Sequence, residues 1–173
     1  MVLADPVAAL AALADLALVD LQGFGRDRAL SDAQLSDAVT RSAVAVIEGS
    51  GHALAPARLD ALREAMLGEL TAFHDENADL QGLGRERLRL KLSPRLPKDV
   101  FASFIRAEAA AGHIALDGAF IRLPGHLPRL SPEDEGLLDQ ITPHLSGEER
   151  FRPPRVRDFA HDLGADEKEI RRI

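Results

Sequence analysis

One dipeptide, Asp117-Gly118, constrains this chain more than any other feature. It stands between two β-prone runs, His113 to Leu116 and Ala119 to Leu123. Asp-Gly in that setting is the strongest short-range hairpin signal a sequence can carry. Three helical patterns precede it. Leu59, Leu62, Met66, Leu70 and Phe73 recur at spacings of three and four, which predicts one apolar helix face ending before the polar run Asp75, Glu76, Asn77. Gly82 and Gly84 mark a loop, and a short charged helix is expected over residues 85–92, stopped by Pro94. Pro97 suits the start of a third helix, with Val100, Phe101, Phe104 and Ile105 as its buried stripe and Gly112 at its end. Helix, helix, helix, hairpin is the outline of a winged helix, a helix-turn-helix variant whose hairpin is the wing.

The same outline recurs more loosely before it. Leu10, Leu13, Leu16 and Ala17 would share a first helix face, and a second helix is expected over residues 21–28. Ser31 would cap a third helix with Leu35, Ala38 and Val39 inward. Residues 42–47 and 52–54 read as strands around Gly49-Ser50-Gly51. A third segment opens with Ser131 as a cap, Pro132 at the first helical position and acids in the first turn, followed by Leu137, Leu138, Ile141 and Leu145. Two short helices then follow, over residues 155–163 and from Glu167, and no hairpin. The expected fold class is mostly α (α+β), as tandem winged-helix domains with small β-hairpin wings. The units would be residues 1–57, 58–129 and 130–173, the last truncated and the chain a piece of a longer one.

Composition agrees with helices. Hydrophobic residues make up 46% of the 173, yet there are seven Phe and no Trp or Tyr, so core volume must come from Leu and Ala. The chain has no cysteine, which excludes disulfides and thiolate metal sites and fits a reducing, cytoplasmic setting. A basic leader region and a long uncharged apolar run are both missing, so neither a signal peptide nor a membrane span is expected.

Chemistry is sparse. The sequence holds no GxxxxGK[ST] loop, no Gly-x-Ser-x-Gly elbow and no HxxxH or HExxH spacing among its six histidines. Gly23 to Arg28 and Gly82 to Arg87 share a GxGRxR form, read as helix-opening loops at equivalent places in two repeats. His74 reads as a helix-end histidine favoured by the C-terminal dipole. No catalytic, cofactor-binding or metal-binding residue is expected.

The net charge of −7 argues against nucleic-acid binding by the whole surface. Residues 58–129, however, carry 11 basic against 10 acidic side chains, while both flanking segments are net acidic. Within them Arg85, Arg87, Arg89, Lys91, Arg95 and Lys98 fall in fourteen residues, opposed only by Glu86. Leu88 and Leu92 would face inward, with Arg85, Arg89 and Lys91 outward. Two readings stand: a phosphate-binding patch, or a solvated face whose stems cover the core edge and pair with nearby acids. Arg150, Arg152, Arg155 and Arg157 form a smaller cluster that could pair with Glu148, Glu149 and Asp158. The candidate nucleic-acid contacts are thus the first six cations together with Arg155 and Arg157. The helices that would enter a groove, SDAQLSDAVTR and PKDVFASFIRAEAAAG, are acidic and nearly apolar, and neither reads as a base-recognition helix.

Several stretches together resemble a family. They are the Phe73-His74 helix end, Gly-Arg-Glu-x-Leu-Arg at residues 84–89, Leu123-Pro124-Gly125-His126, and Pro153-Pro154 ahead of the next helix. In this order they resemble the C-terminal region of SelB, the bacterial selenocysteine-specific elongation factors, strongly over residues 58–173 and weakly over 1–57. Asn77-Ala78-Asp79 departs from the family, whose members often have a proline after the first residue. The resemblance implies winged helices that follow a GTPase part, which would hold GTP and Mg. It also implies indirect partners: selenocysteinyl-tRNA, the ribosome and an mRNA hairpin that recodes UGA. This segment would be a monomeric spacer without catalysis. The rival expectations are a winged-helix DNA-binding transcription regulator and a protein-interaction scaffold.

Overall fold

A computed structural model describes residues 5–146 and 154–172. Two compact units are present, Met1–Glu76 with Gln81–His126, and Asn77–Leu80 with Leu127–Ile173. The larger unit holds the same six-element order twice. Its first half runs α1 (Pro6–Leu16), β1 (Val19–Asp20), α2 (Leu21–Asp27), α3 (Asp32–Ser42), β2 (Ala45–Ile47) and β3 (His52–Leu54). Its second half runs α4 (Pro56–Glu76), β4 (Leu83–Gly84), α5 (Arg85–Lys91), α6 (Lys98–Ala110), β5 (Ala115–Asp117) and β6 (Phe120–Arg122). The antiparallel sheets are ordered β1-β3-β2 and β4-β6-β5, so each hairpin gains a third, two-residue strand on its returning arm. The fold is α+β, with winged-helix topology in both halves.

The helix starts follow local chemistry. Ser31 and Gln34 form a reciprocal capping box on α3, and Asp5 accepts from Val7 N and Ala8 N on α1. On α6 the expected stripe is in place: Val100, Phe101, Phe104 and Ile105 are all buried. Glu108, also buried, accepts from Arg63 Nε of α4 at 2.7 Å and meets His113 Nδ1 at 2.7 Å. One carboxylate thus joins α4, α6 and the start of the wing.

Several local expectations shift. On α1 the buried residues are Leu10 and Ala14, whereas Leu13 and Leu16 are exposed and Ala17 lies past the helix end. The first strand of the first wing begins at Ala45, because α3 runs to Ser42 and Ala43 turns left-handed with φ of 53°. In the second wing Asp117 pairs with Phe120, so the turn is centred on Gly118-Ala119, one residue later than expected. Gly118 alone takes positive φ there, the pattern of a type II′ turn. The Gly82-Gly84 loop contains β4. A Cβ on Gly82 would sit 2.5 Å from the Ile121 carbonyl oxygen, so glycine is what lets this strand approach β6. Gly23 to Arg28 lies largely inside α2, whereas Gly82 to Arg87 spans β4 and enters α5; the two GxGRxR runs occupy different places.

The two halves share a core. Ile47 and Leu54 of the first wing belong to the cluster that contains Leu62, Met66, Leu70, Leu88, Phe104 and Ile121. Strand β2 packs on α6. A single residue, Ala55, separates β3 from α4; its N–H donates to Ala14 O at 3.1 Å, and Arg58 donates to Asp15 O at 3.1 Å.

In the smaller unit, α7 (Pro132–Leu145), α8 (Val156–Leu163) and α9 (Glu167–Arg172) bury Ile141, Phe159 and Ile170 together. Ser131 caps α7 by accepting from Asp134 N at 3.1 Å. Leu145, expected on the inner face, is exposed. Arg150, Arg152, Glu148, Glu149 and Pro153 lie outside the described residues. Among the described residues no helix is long and apolar enough to cross a membrane.

Candidate nucleic-acid interface

The six basic residues of the central run do not form one patch, because α5 is only seven residues long and its faces point to different neighbours. Arg89, expected outward, is instead largely buried. It holds both Glu86 carboxylate oxygens (2.6 and 3.0 Å) and donates to Leu96 O at 2.8 Å. Glu86 is held below the usual carboxylate range, chiefly by this hydrogen bond and further by the charges of Arg89, Lys98 and Arg95. Lys91 pairs with Glu69 of α4. Arg87 sits over the Phe73 ring, 5.6 Å from its centroid. Arg95 is exposed.

Arg85 and Lys98 differ from these. Arg85 donates to Gly118 O at 2.6 Å, which ties the first turn of α5 to the tip of the wing. Lys98 opens α6 on its exposed side. With Arg89, both line a cavity of about 390 Å³ bounded by α5, α6 and β5. The cavity adds Arg106, a cation outside the expected set. Its signal lay in the spacing Lys98, Ala102, Arg106: steps of four put all three on one face of a helix whose other residues are mostly apolar. Arg155 and Arg157 belong to the smaller unit. At the head of α8, Arg155 N donates to Asp158 Oδ2 at 3.1 Å, and Arg157 lies 3.5 Å from Asp158 Oδ1.

The structure thus divides the two open readings residue by residue. Arg89 and Lys91 pair with carboxylates, as a solvated structural face would have them. Arg85 and Lys98 pair with none among the described residues. Helix α3 offers no basic surface either, since its Arg41 is bound to Asp37 at 3.2 Å.

His74 lies in the last turn of α4, as expected, but its ring is buried. It is 8% exposed and stacked on His126, with ring centroids 3.6 Å apart and planes 2° from parallel. Neither of its ring nitrogens has a hydrogen-bond partner among the described residues. Burial, followed by the charge of His126, depresses its pKa below the usual 6.5; Asp75 pulls the other way and Arg122 adds to the depression. The helix dipole would have raised it, so burial wins. The sign of the linkage follows. An unfolded chain takes up this proton near pH 6.5, and the folded protein only at lower pH. The contribution to stability is complete above 6.5 and is lost as the pH falls from 6.5 through the folded pKa. Thermal melts should therefore show Tm declining on acidification below pH 6.5, with a smaller decline in His74→Phe. Equal declines in both proteins would place the effect elsewhere.

Residues 67–123 match the family described as elongation factor SelB, winged helix. They span the C-terminal half of α4 and all of β4, α5, α6, β5 and β6, among them the three elements that build the cavity. This segment is a SelB-family winged helix. Over 106 residues the chain is also 31% identical to the selenocysteine-specific elongation factor of Escherichia coli (strain K12). That match covers 61% of this chain and 17% of the relative, so the chain spans about a sixth of that protein's length. The third helix of this SelB-type winged helix presents cations on its exposed side. The outward side of α6 carries Lys98 and Arg106 around the small Ala102, with no Asn or Gln beside them.

Proposed function

We propose that this chain is the winged-helix segment of a selenocysteine-specific translation elongation factor. In this reading it works in the cytoplasm as a spacer. It links a part that delivers tRNA and hydrolyses GTP to a tip that binds the mRNA hairpin in UGA recoding, and the units are residues 1–57, 58–129 and the start of a third. The junction at Ala55 carries the reading. Two winged helices joined by one residue, with Ile47 and Leu54 of the first buried in the core of the second, behave as one stiff body. A flexible linker would spread the distance between its ends, and a shared core holds it. The first wing supports the same view, because β2 is spent on packing against α6.

Catalysis is assigned to none of these residues. GTP and Mg, which the resemblance implies, have no cradle in this sequence, which lacks GxxxxGK[ST]. They belong in this reading to the GTPase part.

The test is a flexible Gly-Ser insertion between Ala55 and Pro56, made in the full-length factor. Selenocysteine insertion at UGA should fall about tenfold, as the effective concentration of one end at the other drops. GTP hydrolysis by the same protein should be unchanged. Full recoding with the insertion in place would rule out the spacer role.

A further inference from the structure

The cavity between α5, α6 and β5 is the feature that the spacer role leaves unused. We infer that it is a binding site for the phosphate backbone of RNA. The choice of RNA over DNA rests on the translation-factor reading; the choice of phosphate rests on the cavity alone.

Four cations line it, Arg85, Arg89, Lys98 and Arg106, against a single carboxylate, Glu86. Arg89 occupies both oxygens of Glu86, so these two cancel within the wall. Arg85, Lys98 and Arg106 remain, and none forms an ion pair among the described residues. Two of them are held in position by neutral acceptors. Arg85 is fixed by Gly118 O; Arg106 donates to Ala102 O at 3.2 Å and Ser103 Oγ at 3.0 Å. A guanidinium has five N–H donors, so each keeps several for a ligand. The small side chain of Ala102 leaves the space between Lys98 and Arg106 open.

The floor is apolar. Phe101 and Ile105 are buried and Leu116 half-buried. Such a surface keeps the local dielectric low and strengthens attraction between fixed cations and an anion. The lining offers charged donors but no Asn, Gln, Ser or Thr to read a base edge. Arg and Lys supply many of the contacts that proteins make to phosphate oxygens, and such contacts position a backbone. The chain as a whole is acidic, with net charge −7, so attraction to a polyanion must be local.

The test compares two charge reversals of equal size in the whole chain. Lys98→Glu with Arg106→Glu alters the cavity; Arg87→Glu with Arg95→Glu alters cations outside it. Each protein is titrated by fluorescence anisotropy against a labelled RNA hairpin of arbitrary sequence and a DNA hairpin of the same sequence. Inorganic phosphate is the competitor, and circular dichroism melts check the fold. The cavity variant should bind RNA about tenfold more weakly, and its salt slope should shrink by about two, one for each phosphate it no longer neutralises. The outer variant should stay near wild type. Equal losses of affinity in both variants would mean diffuse attraction and overturn the site. DNA bound as tightly as RNA, or RNA displaced by dilute phosphate, would overturn the assignment to RNA. A wild type that binds no RNA at low salt would end the inference and leave the spacer reading standing, because that reading rests on the junction and is judged by recoding.

Discussion

Replacing Phe104 by alanine should destabilise the larger unit by about 3–5 kcal/mol. The residue is 1% exposed and belongs to the core cluster that also holds Met66, Leu70, Leu88, Ile121 and Ile47. Truncation removes the transfer energy of the ring and leaves a cavity. Neighbours fixed on helices and strands cannot close around it. Urea unfolding followed by circular dichroism measures the change. A loss below about 1 kcal/mol would mean that the ring contributes no more than a surface residue does.

Leu54→Ala should cost about 2–5 kcal/mol, and its more telling effect is on cooperativity. Leu54 belongs by sequence to the first wing, on β3. It is fully buried, and its cluster is formed mainly by α4, α5 and α6. The two winged helices of this unit should therefore melt in one transition, and the variant should lower that single transition as a whole. Two separated transitions, with only the earlier one moved, would show that the halves fold independently. The spacer reading would then lose its mechanical basis.

These two residues also mark where sequence reading succeeded and where it stopped. Phe104 was legible as core. It recurs with Val100, Phe101 and Ile105 at helical spacing, and a helix face that apolar must be buried. Leu54 was legible as a strand residue but not as a member of the next unit's core. Nothing within six residues of it records which helix will lie across the wing.

The interface divides the same way. The concentration of cations at residues 85–98 is a fact of the sequence, but their side chains do not point to one place. Arg89 turned inward because the Leu96 carbonyl and Glu86 were within its reach, and Lys91 turned to Glu69, 22 residues away. Arg106 was passed over because it stands alone in an apolar stretch of helix. It joins Lys98 and Arg85 only once α6 lies beside α5 and the wing.

Periodicity, capping and turn residues determined the helices, the caps at Ser31 and Ser131 and the hairpin, because each depends on neighbours a few positions away. Tertiary structure alone decided the two-residue strands β1 and β4, the inward turn of His74 and the choice of cations around the cavity. Strand β1 exists because β3 reaches it from more than thirty residues on, and β4 because β6 does. His74 owes its depressed pKa to burial and to a ring 52 positions away at His126. Partners so distant in sequence meet only after the helices have packed, and the local pattern of side chains carries no record of that meeting.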